Sequence, residues 1–537
     1  MHAPQHREGR AFRLLVGGLV AVGAAARLVP LVDGSGRILR QFPTEDGYLM
    51  MTIARSLALG RGMTTAEGLI ASNGTQPAFN LIEALCFWLV GGDRQTGVFA
   101  VELVDFVIAA LAAWALFVLG RRILGARPWA GRASALAAAT WYASSNVVPH
   151  TMNCLETGFY TLMVLLSVLQ WHKLWHAGQA SEAPLLKRAL LAGALLGVTF
   201  WARIDAVFLI GTLTAVHAGW AYRGGWGKVR PRLLESLVAG SVALAIASPW
   251  LLYGKLRFGS FMPISGMAES ARGWFGNASL LPASLFRYTA LVLPIPHEHN
   301  ARLSVVLFCS AAGLLWIGLL VRVARRATAP ERWLFASGLL FLLGLSAYYG
   351  LAFGAGHFLD RYLFPASPFI ALVNVAGVVA LASRFRGRLW VQAGRPALVA
   401  LLLLVVVGLD ARAYRQGRQH MHFQVVEWVR RNLLDSTWVA AVQTGTLGFF
   451  HDRTVNLDGK VNPEALALLR QKRIPDYVVG SRWGKEQASI DYLIDWNGIA
   501  EWRSLGPVRS NFDLIVDDPQ SNLAVFRRKG TAAYSLR

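Results

Sequence analysis

A chain of 537 residues that is 54% hydrophobic and only 16% charged, with a mean hydropathy of +0.41, falls outside the range of soluble globular domains and inside that of polytopic membrane proteins. The formal net charge of +22 would suit nucleic acid in a soluble protein. Here most of the excess lies before residue 416, between apolar stretches, so nucleic acid is excluded as a partner and membrane lipid is expected.

The N-terminus, MHAPQHREGRAFR, runs into a long apolar stretch with no cleavage site, so an uncleaved first span is expected rather than a signal peptide. Spans of about 20 apolar residues are expected near 12–31, 96–120, 130–148, 154–174, 187–201, 204–221, 232–253, 302–322, 332–352, 364–383 and 395–412, about 11 in all. Between the first two, Gln76 to Val90 is apolar but too short to cross, and is expected to be an interfacial helix. Cys86, Cys154 and Cys309 fall in apolar segments without metal-ligand spacing, as small core residues do.

Alternate connections (HREGRAFR, RRILGARPWAGR, HKLWHAGQASEAPLLKR, YRGGWGKVRPR, VRVARRATAPER and SRFRGRLW) are rich in Lys and Arg, which assigns them and the N-terminus to the cytoplasm. The opposite connections carry Glu45 and Asp46, Glu156, Arg203 and Asp205, Pro263 to Ser270, His297 to His299, and His357 to Arg361. An odd number of spans also places the C-terminal region outside. From about Gln416 the pattern becomes a helix-like VVEWVRRNLL, an apolar WVAAVQTG, then TVNLDG, a helical PEALALLRQK and DYVVG. The expected organisation is a transmembrane domain over 1–415, with a first external loop at 33–95, and a small soluble α/β domain over 416–537.

The stretch from Phe42 to Asn80 is too polar to cross a membrane and holds the adjacent carboxylates Glu45 and Asp46. Such a pair can supply a general base, or hard oxygen ligands for Mg²⁺ or Mn²⁺, although no cofactor is demanded. The plainer reading is that both cap a helix beginning near Gly47. Tyr48, Asn73 and Gln76 share this loop as substrate-binding candidates. Arg203 and Asp205 either bind a phosphate or pair with each other, and Glu156 reads as a buried structural acid. Arg361, beside His357 and Asp360, is a phosphate clamp or an interfacial ion pair. Lys255 and Arg257 bind lipid phosphate or sit at headgroup level. His297, Glu298 and His299 have metal-like composition in a spacing that argues weakly for a metal.

These residues carry a family resemblance. EDGYLMMTIARSLALGRGM followed by NGTQPAFNLI resembles the first external loop of bacterial GT-C glycosyltransferases that use polyprenyl-phosphate sugars, among them the aminoarabinose, mannosyl and arabinofuranosyl transferases. MNCLETGFY, WARIDAVFL, PWLLYGKLRFGSFMPISGMAES and HFLDRYLFP are similar to further segments of the group, and TGTLGFFHDRTVNLDGKVN resembles the external domain of uncharacterised members. Ile204 and Cys154 stand where the family often has Pro and Gly, changes expected to alter local backbone more than chemistry.

The resemblance implies a polytopic GT-C-like helical fold and Asp46 as the base. Glu45 would be its partner, and Arg203, Asp205, His357, Arg361, Lys255 and Glu156 would lie around the donor phosphate. It implies an inverting transferase that moves a sugar from a polyprenyl-phosphate donor to a cell-envelope glycan, lipid or protein acceptor on the outer face of a bacterial inner membrane. The alternatives are a transporter of lipid-linked sugars, or a glycan polymerase or ligase using a diphosphate carrier.

Overall fold

The computed structural model describes residues 3–34, 36–222, 225–269, 275–290, 302–353, 355–384, 389–416 and 422–531. The helical part opens with α1 (Ala3–Val32), α2 (Glu45–Ala58), the short strands β1 (Thr64–Thr65) and β2 (Ile70–Ala71), α3 (Pro77–Leu89), α4 (Arg94–Ile123), α5 (Ala130–Ala143), α6 (Val148–Thr151) and α7 (Thr157–Ala180). It continues with α8 (Leu186–Ala202), α9 (Ala206–Tyr222), α10 (Trp226–Phe258), α11 (Ile264–Glu269), α12 (Leu281–Ala290), α13 (Leu303–Ala324), α14 (Ala329–Ala347), α15 (Leu359–Leu363), α16 (Ser367–Arg384) and α17 (Leu389–Gln416). Each expected span overlaps one of these helices. Among the described residues, five helical segments are long and apolar enough to cross a membrane unaided.

Small side chains let the helices approach closely, as interfaces in lipid require. The face of α5 that carries Ala133, Ala137 and Trp141 is fully buried, and α1, α4 and α16 all pack on α5. The polar Arg203-Ile204-Asp205 breaks what would be one helix into α8 and α9, as expected from two short apolar runs. The break lines a cavity, where irregular backbone is tolerated. Cys154 adopts φ 51, the left-handed region, so the departure from glycine leaves an L-residue in a conformation that costs on the order of 1 kcal/mol or more. The short apolar stretch after Gln76 is α3, with Leu81, Leu85 and Trp88 exposed on one face, as an interfacial helix requires.

The C-terminal part runs α18 (Phe423–Asn432), β3 (Val439–Ala441), α19 (Gly445–Phe450), β4 (Thr454–Asn456), α20 (Pro463–Arg470), α21 (Ile474–Gly480), β5 (Tyr492–Asp495), α22 (Gly506–Asn511), β6 (Phe512–Asp518) and β7 (Leu523–Arg528). Its five-stranded sheet has the order β4-β3-β5-β7-β6. β3 is parallel to both β4 and β5, whereas β7 is antiparallel to β5 and β6. The parallel strands are apolar or fully buried along their length because helices cover both faces. The apolar DYVVG is helical, within α21: Pro475 stands at the start of that helix, where its fixed φ is favourable.

This domain is fastened to the first loop and to α4. Asp452 faces Arg94 at 2.7 Å, Arg55 at 3.1 Å and Arg61 at 3.4 Å. Burial alone would raise the Asp452 carboxyl, but the three guanidinium groups outweigh it and hold it below the usual carboxylate range. Tyr48 donates a hydrogen bond to the Leu39 carbonyl and packs against Phe449 and Phe450. Two glycines permit backbone-to-backbone approach: a Cβ at Gly445 would collide with the Glu45 carbonyl, and one at Gly74 with the Lys460 carbonyl. Gly445→Ala is therefore expected to destabilise the docked domain by about 1–3 kcal/mol, the usual scale of overpacking. Faster proteolytic release of the C-terminal domain from the full-length protein is the readout.

Candidate active site

Thr44 caps α2: its hydroxyl accepts a hydrogen bond from the Gly47 N–H at 2.8 Å. The cap is therefore Thr44, and Glu45 and Asp46 occupy the first helical turn, where the positive end of the dipole favours acidic residues. Successive residues on a helix point about 100° apart, so the two carboxylates diverge. Glu45 reaches the C-terminal domain. Its Oε1 accepts from the Gly445 N–H at 2.5 Å, and its Oε2 accepts from the Thr446 N–H at 3.0 Å and the Thr446 hydroxyl at 2.5 Å. It thereby satisfies the open N–H groups that begin α19.

Asp46 points the other way, into a cavity of about 340 Å³. Its Oδ2 accepts from Arg361 Nη1 at 2.8 Å, and its Oδ1 lies 3.8 Å from Lys460 Nζ. Lys460 also faces Glu269 at 3.2 Å. Burial on its own would push the Asp46 carboxyl up, but Lys460 and Arg361 together outweigh it and hold it at about 2.

The cavity is built where helices of alternating sense begin and end. The first loop supplies Gln76, the start of α7 supplies Glu156, the α8–α9 break supplies Arg203 and Asp205, and the segment before α16 supplies Arg361 and Tyr362. Arg203 is buried. Its Nη2 lies 2.8 Å from Asp205 Oδ2 and 3.1 Å from the Tyr349 hydroxyl, and its Nε is 3.7 Å from Glu156 Oε1. Tyr349 in turn donates to Asp205 Oδ2 at 2.7 Å and stacks on Tyr362 with ring centroids 4.1 Å apart. Arg203 Nη1, Arg361 Nε and Gln76 Oε1 are buried and have no hydrogen-bond partner among the described residues. Two unused guanidinium donors and one unused amide acceptor on residues that line one cavity are a binding potential for an anion or a hydroxyl-rich ligand.

Six of the sequence candidates, Asp46, Gln76, Glu156, Arg203, Asp205 and Arg361, line this cavity; the others lie elsewhere. Glu45 is the clamp described above, and with Asp46 held between two cations the pair does not converge on a shared Mg²⁺ or Mn²⁺ site. Tyr48 is packed in the core under the C-terminal domain. Asn73 accepts from the Ile264 N–H at 3.1 Å and so positions the segment after α10. His357 is exposed beside Phe358 and does not line the cavity, although its charge also favours the ionised Asp46, and Asp360 turns away to pair with Arg287. Lys255 is exposed, its ammonium donating to the Gly259 carbonyl at 3.2 Å, as a headgroup-level lysine would. His297 to His299 lie outside the described residues.

Sequence reasoning missed Lys460 and the Tyr348-Tyr349 pair, and reached Glu269 only as part of the Pro263 to Ser270 stretch. Lys460 sits in the quoted TVNLDGKVN, where an Asp-Gly turn directly before a lysine was the available signal.

Comparison with known proteins agrees with this architecture. A family model described as a domain of unknown function, DUF8728, matches residues 411–529. No relative is found among curated proteins. Among solved structures, the chain is similar to ArnT from Cupriavidus metallidurans bound to undecaprenyl phosphate, with a TM-score of 0.59 and 15% identity over 96% of this chain and 98% of that one. The apo state of the same ArnT gives 0.57 and 14%, over 95% and 96%. The apo oligosaccharyltransferase of Archaeoglobus fulgidus gives 0.53 and 10%, over 90% of this chain and 70% of that one. The chain is thus a polytopic α-helical membrane protein of the GT-C fold, with a small α/β domain at its C-terminus.

The low position of Asp46 has a pH signature. A carboxylate held at about 2 against an ordinary value near 3.9 contributes stability that is complete above about pH 5 and is lost as the pH falls toward 2. Asp46→Asn removes this contribution. The melting temperature of the wild type is expected to fall more steeply than that of the variant between pH 5 and pH 3, measured by a thermal melt of the full-length protein.

Proposed function

We propose that this protein is an inverting glycosyltransferase that takes a sugar from a polyprenyl-phosphate donor on the outer side of a bacterial inner membrane. The observation that carries the reading is a carboxylate, Asp46, set against Arg361 in a cavity that also offers the unpartnered Arg203 Nη1, within a fold similar to ArnT with its undecaprenyl phosphate.

A sugar on a phosphate carrier already has a good leaving group, so no general acid is required. The acceptor oxygen attacks the anomeric carbon, the bond from that carbon to the phosphate oxygen breaks, and the electron pair leaves with the phosphate. The acceptor's proton passes to the Asp46 carboxylate. Arg361 and Arg203 face the oxygens on which negative charge grows, and fixed donors aimed at developing charge are the strongest electrostatic contribution a site can make. Tyr349 and Tyr362 give a stacked aromatic wall, and Phe208, Tyr348 and Phe353 an apolar one, against which the non-polar faces of a sugar and the first carrier units pack.

At about 2, the resting Asp46 is a weak base. The donor resolves this: its phosphate competes for Arg361, and as the guanidinium turns toward it the carboxylate loses a stabilising partner and becomes more basic. Base strength is thus tied to donor occupancy, which suppresses idle deprotonation in an empty site.

Asp46→Asn is expected to lower transfer by about 10²–10⁴-fold, the usual share of general-base catalysis, at unchanged expression. Mass spectrometry of lipids from membranes of the variant should find the glycosylated carrier accumulating, while the acceptor-linked sugar is lost. Undiminished transfer would remove Asp46 from the mechanism. A co-purified lipid carrying a diphosphate would replace the donor class with the ligase alternative.

A further inference from the structure

Lys460 comes from the C-terminal domain, yet it lines the same cavity as Arg203 and Arg361. We propose that Lys460 is a substrate-contacting residue whose ammonium moves from Asp46 to the donor phosphate, so that the α/β domain supplies part of the active site rather than covering it. This rests on the donor reading given above.

The backbone under Lys460 is fixed. After β4, Asn456 Oδ1 accepts from the Gly459 N–H at 3.0 Å, Asp458 Oδ1 accepts from the Lys460 N–H at 2.8 Å, and Asn462 Nδ2 donates to the Asn456 carbonyl at 2.8 Å. The Lys460 carbonyl in turn meets Gly74, where no Cβ would fit. Only the side chain is left to move. A lysine is a point charge on a flexible stem; at 3.8 Å it holds Asp46 loosely, and with Glu269 at 3.2 Å as its closer partner the ammonium can turn from Asp46 toward a nearby anion while keeping that contact.

Charge accounting gives it a task. The cavity carries four carboxylates (Asp46, Glu156, Asp205 and Glu269) against three cations, Arg203, Arg361 and Lys460. Arg203 is shared between Asp205 and Glu156. Without Lys460, an entering phosphodiester would meet two cations and four acids. Cleavage adds further negative charge to the departing phosphate, and a third cation meets it.

The sheet topology explains why this domain is suited to the role. β3, β4 and β5 run parallel, and the loops at the carboxyl ends of β3 and β4 are the ones pressed on the first loop. The chain after β3 enters the Glu45 clamp, and the chain after β4 delivers Lys460. The carboxyl edge is where open α/β sheets hold ligands.

The test uses full-length protein in detergent with undecaprenyl phosphate as the probe, titrated by native mass spectrometry. Lys460→Met is expected to weaken binding about 10-fold or more, the scale of one charge-assisted contact. Lys460→Arg should recover most of it, and Lys485→Met, at an exposed lysine of the same domain, should bind like wild type. Glu45→Gln should weaken binding in the same direction, because it loosens the domain that carries the lysine. Wild-type binding by Lys460→Met overturns the proposal and leaves the donor reading standing. No binding by the wild type overturns both. Should Lys460→Met fail to fold, acetylation of the wild-type protein decides: saturating undecaprenyl phosphate should protect Lys460 and not Lys485, and equal labelling of Lys460 with and without the lipid sinks the idea.

Discussion

Two neighbouring carboxylates that point in different directions hold the working parts of this molecule together. Glu45 satisfies backbone donors of the α/β domain, and Asp46 anchors two cations, one from the helical bundle and one from that domain. The second arrangement depends on the first. The Asp46 to Lys460 pair needs the domain seated, and the seating depends on Glu45 and on the three arginines around Asp452. A single charge in this position would bind one partner; two on successive helical residues join two bodies and still leave a face open to the cavity.

The helical architecture was legible because it depends on lengths and composition: apolar runs of span length, and the polar Arg203 to Asp205 between two short runs. The gathering of Asp46, Glu156, Arg203, Asp205 and Arg361 could be anticipated for the same reason, since helices of alternating direction bring their ends to one side. What the sequence concealed is orientation around a helix end. Glu45, Tyr48 and Asn73 lie within a few residues of cavity positions and point elsewhere, because the C-terminal domain competes for Glu45 and Tyr48 and the Ile264 N–H for Asn73. Lys255 and His357 have the right chemistry and the wrong exposure. Lys460 was hidden by distance, arriving from a region where charged residues are ordinary and only its neighbourhood makes it unusual.

The same logic separates stability from chemistry in the buried polar residues. Arg203 is tied into a closed group of Asp205, Glu156 and Tyr349 that keeps the α8–α9 break in shape, with one donor left over. Removing it would leave buried acids uncompensated, a loss expected to unfold the break before it reports on binding. Arg361 and Lys460 have fewer ionic partners, so substitution there disturbs the scaffold less.

The clamp between Glu45 and Gly445 joins positions 400 residues apart, which bears on how the protein is made. The first loop is synthesised early, and Glu45 must wait for its partners until nearly the whole chain has been inserted and the last domain has folded. During that interval the cavity lacks Lys460, and Asp46 has Arg361 but not its second counter-ion. A chain terminated before the last domain would therefore carry the membrane helices and the cavity residues Asp46, Glu156, Arg203, Asp205, Glu269 and Arg361 without Lys460 or the Glu45 clamp, leaving four carboxylates against two cations.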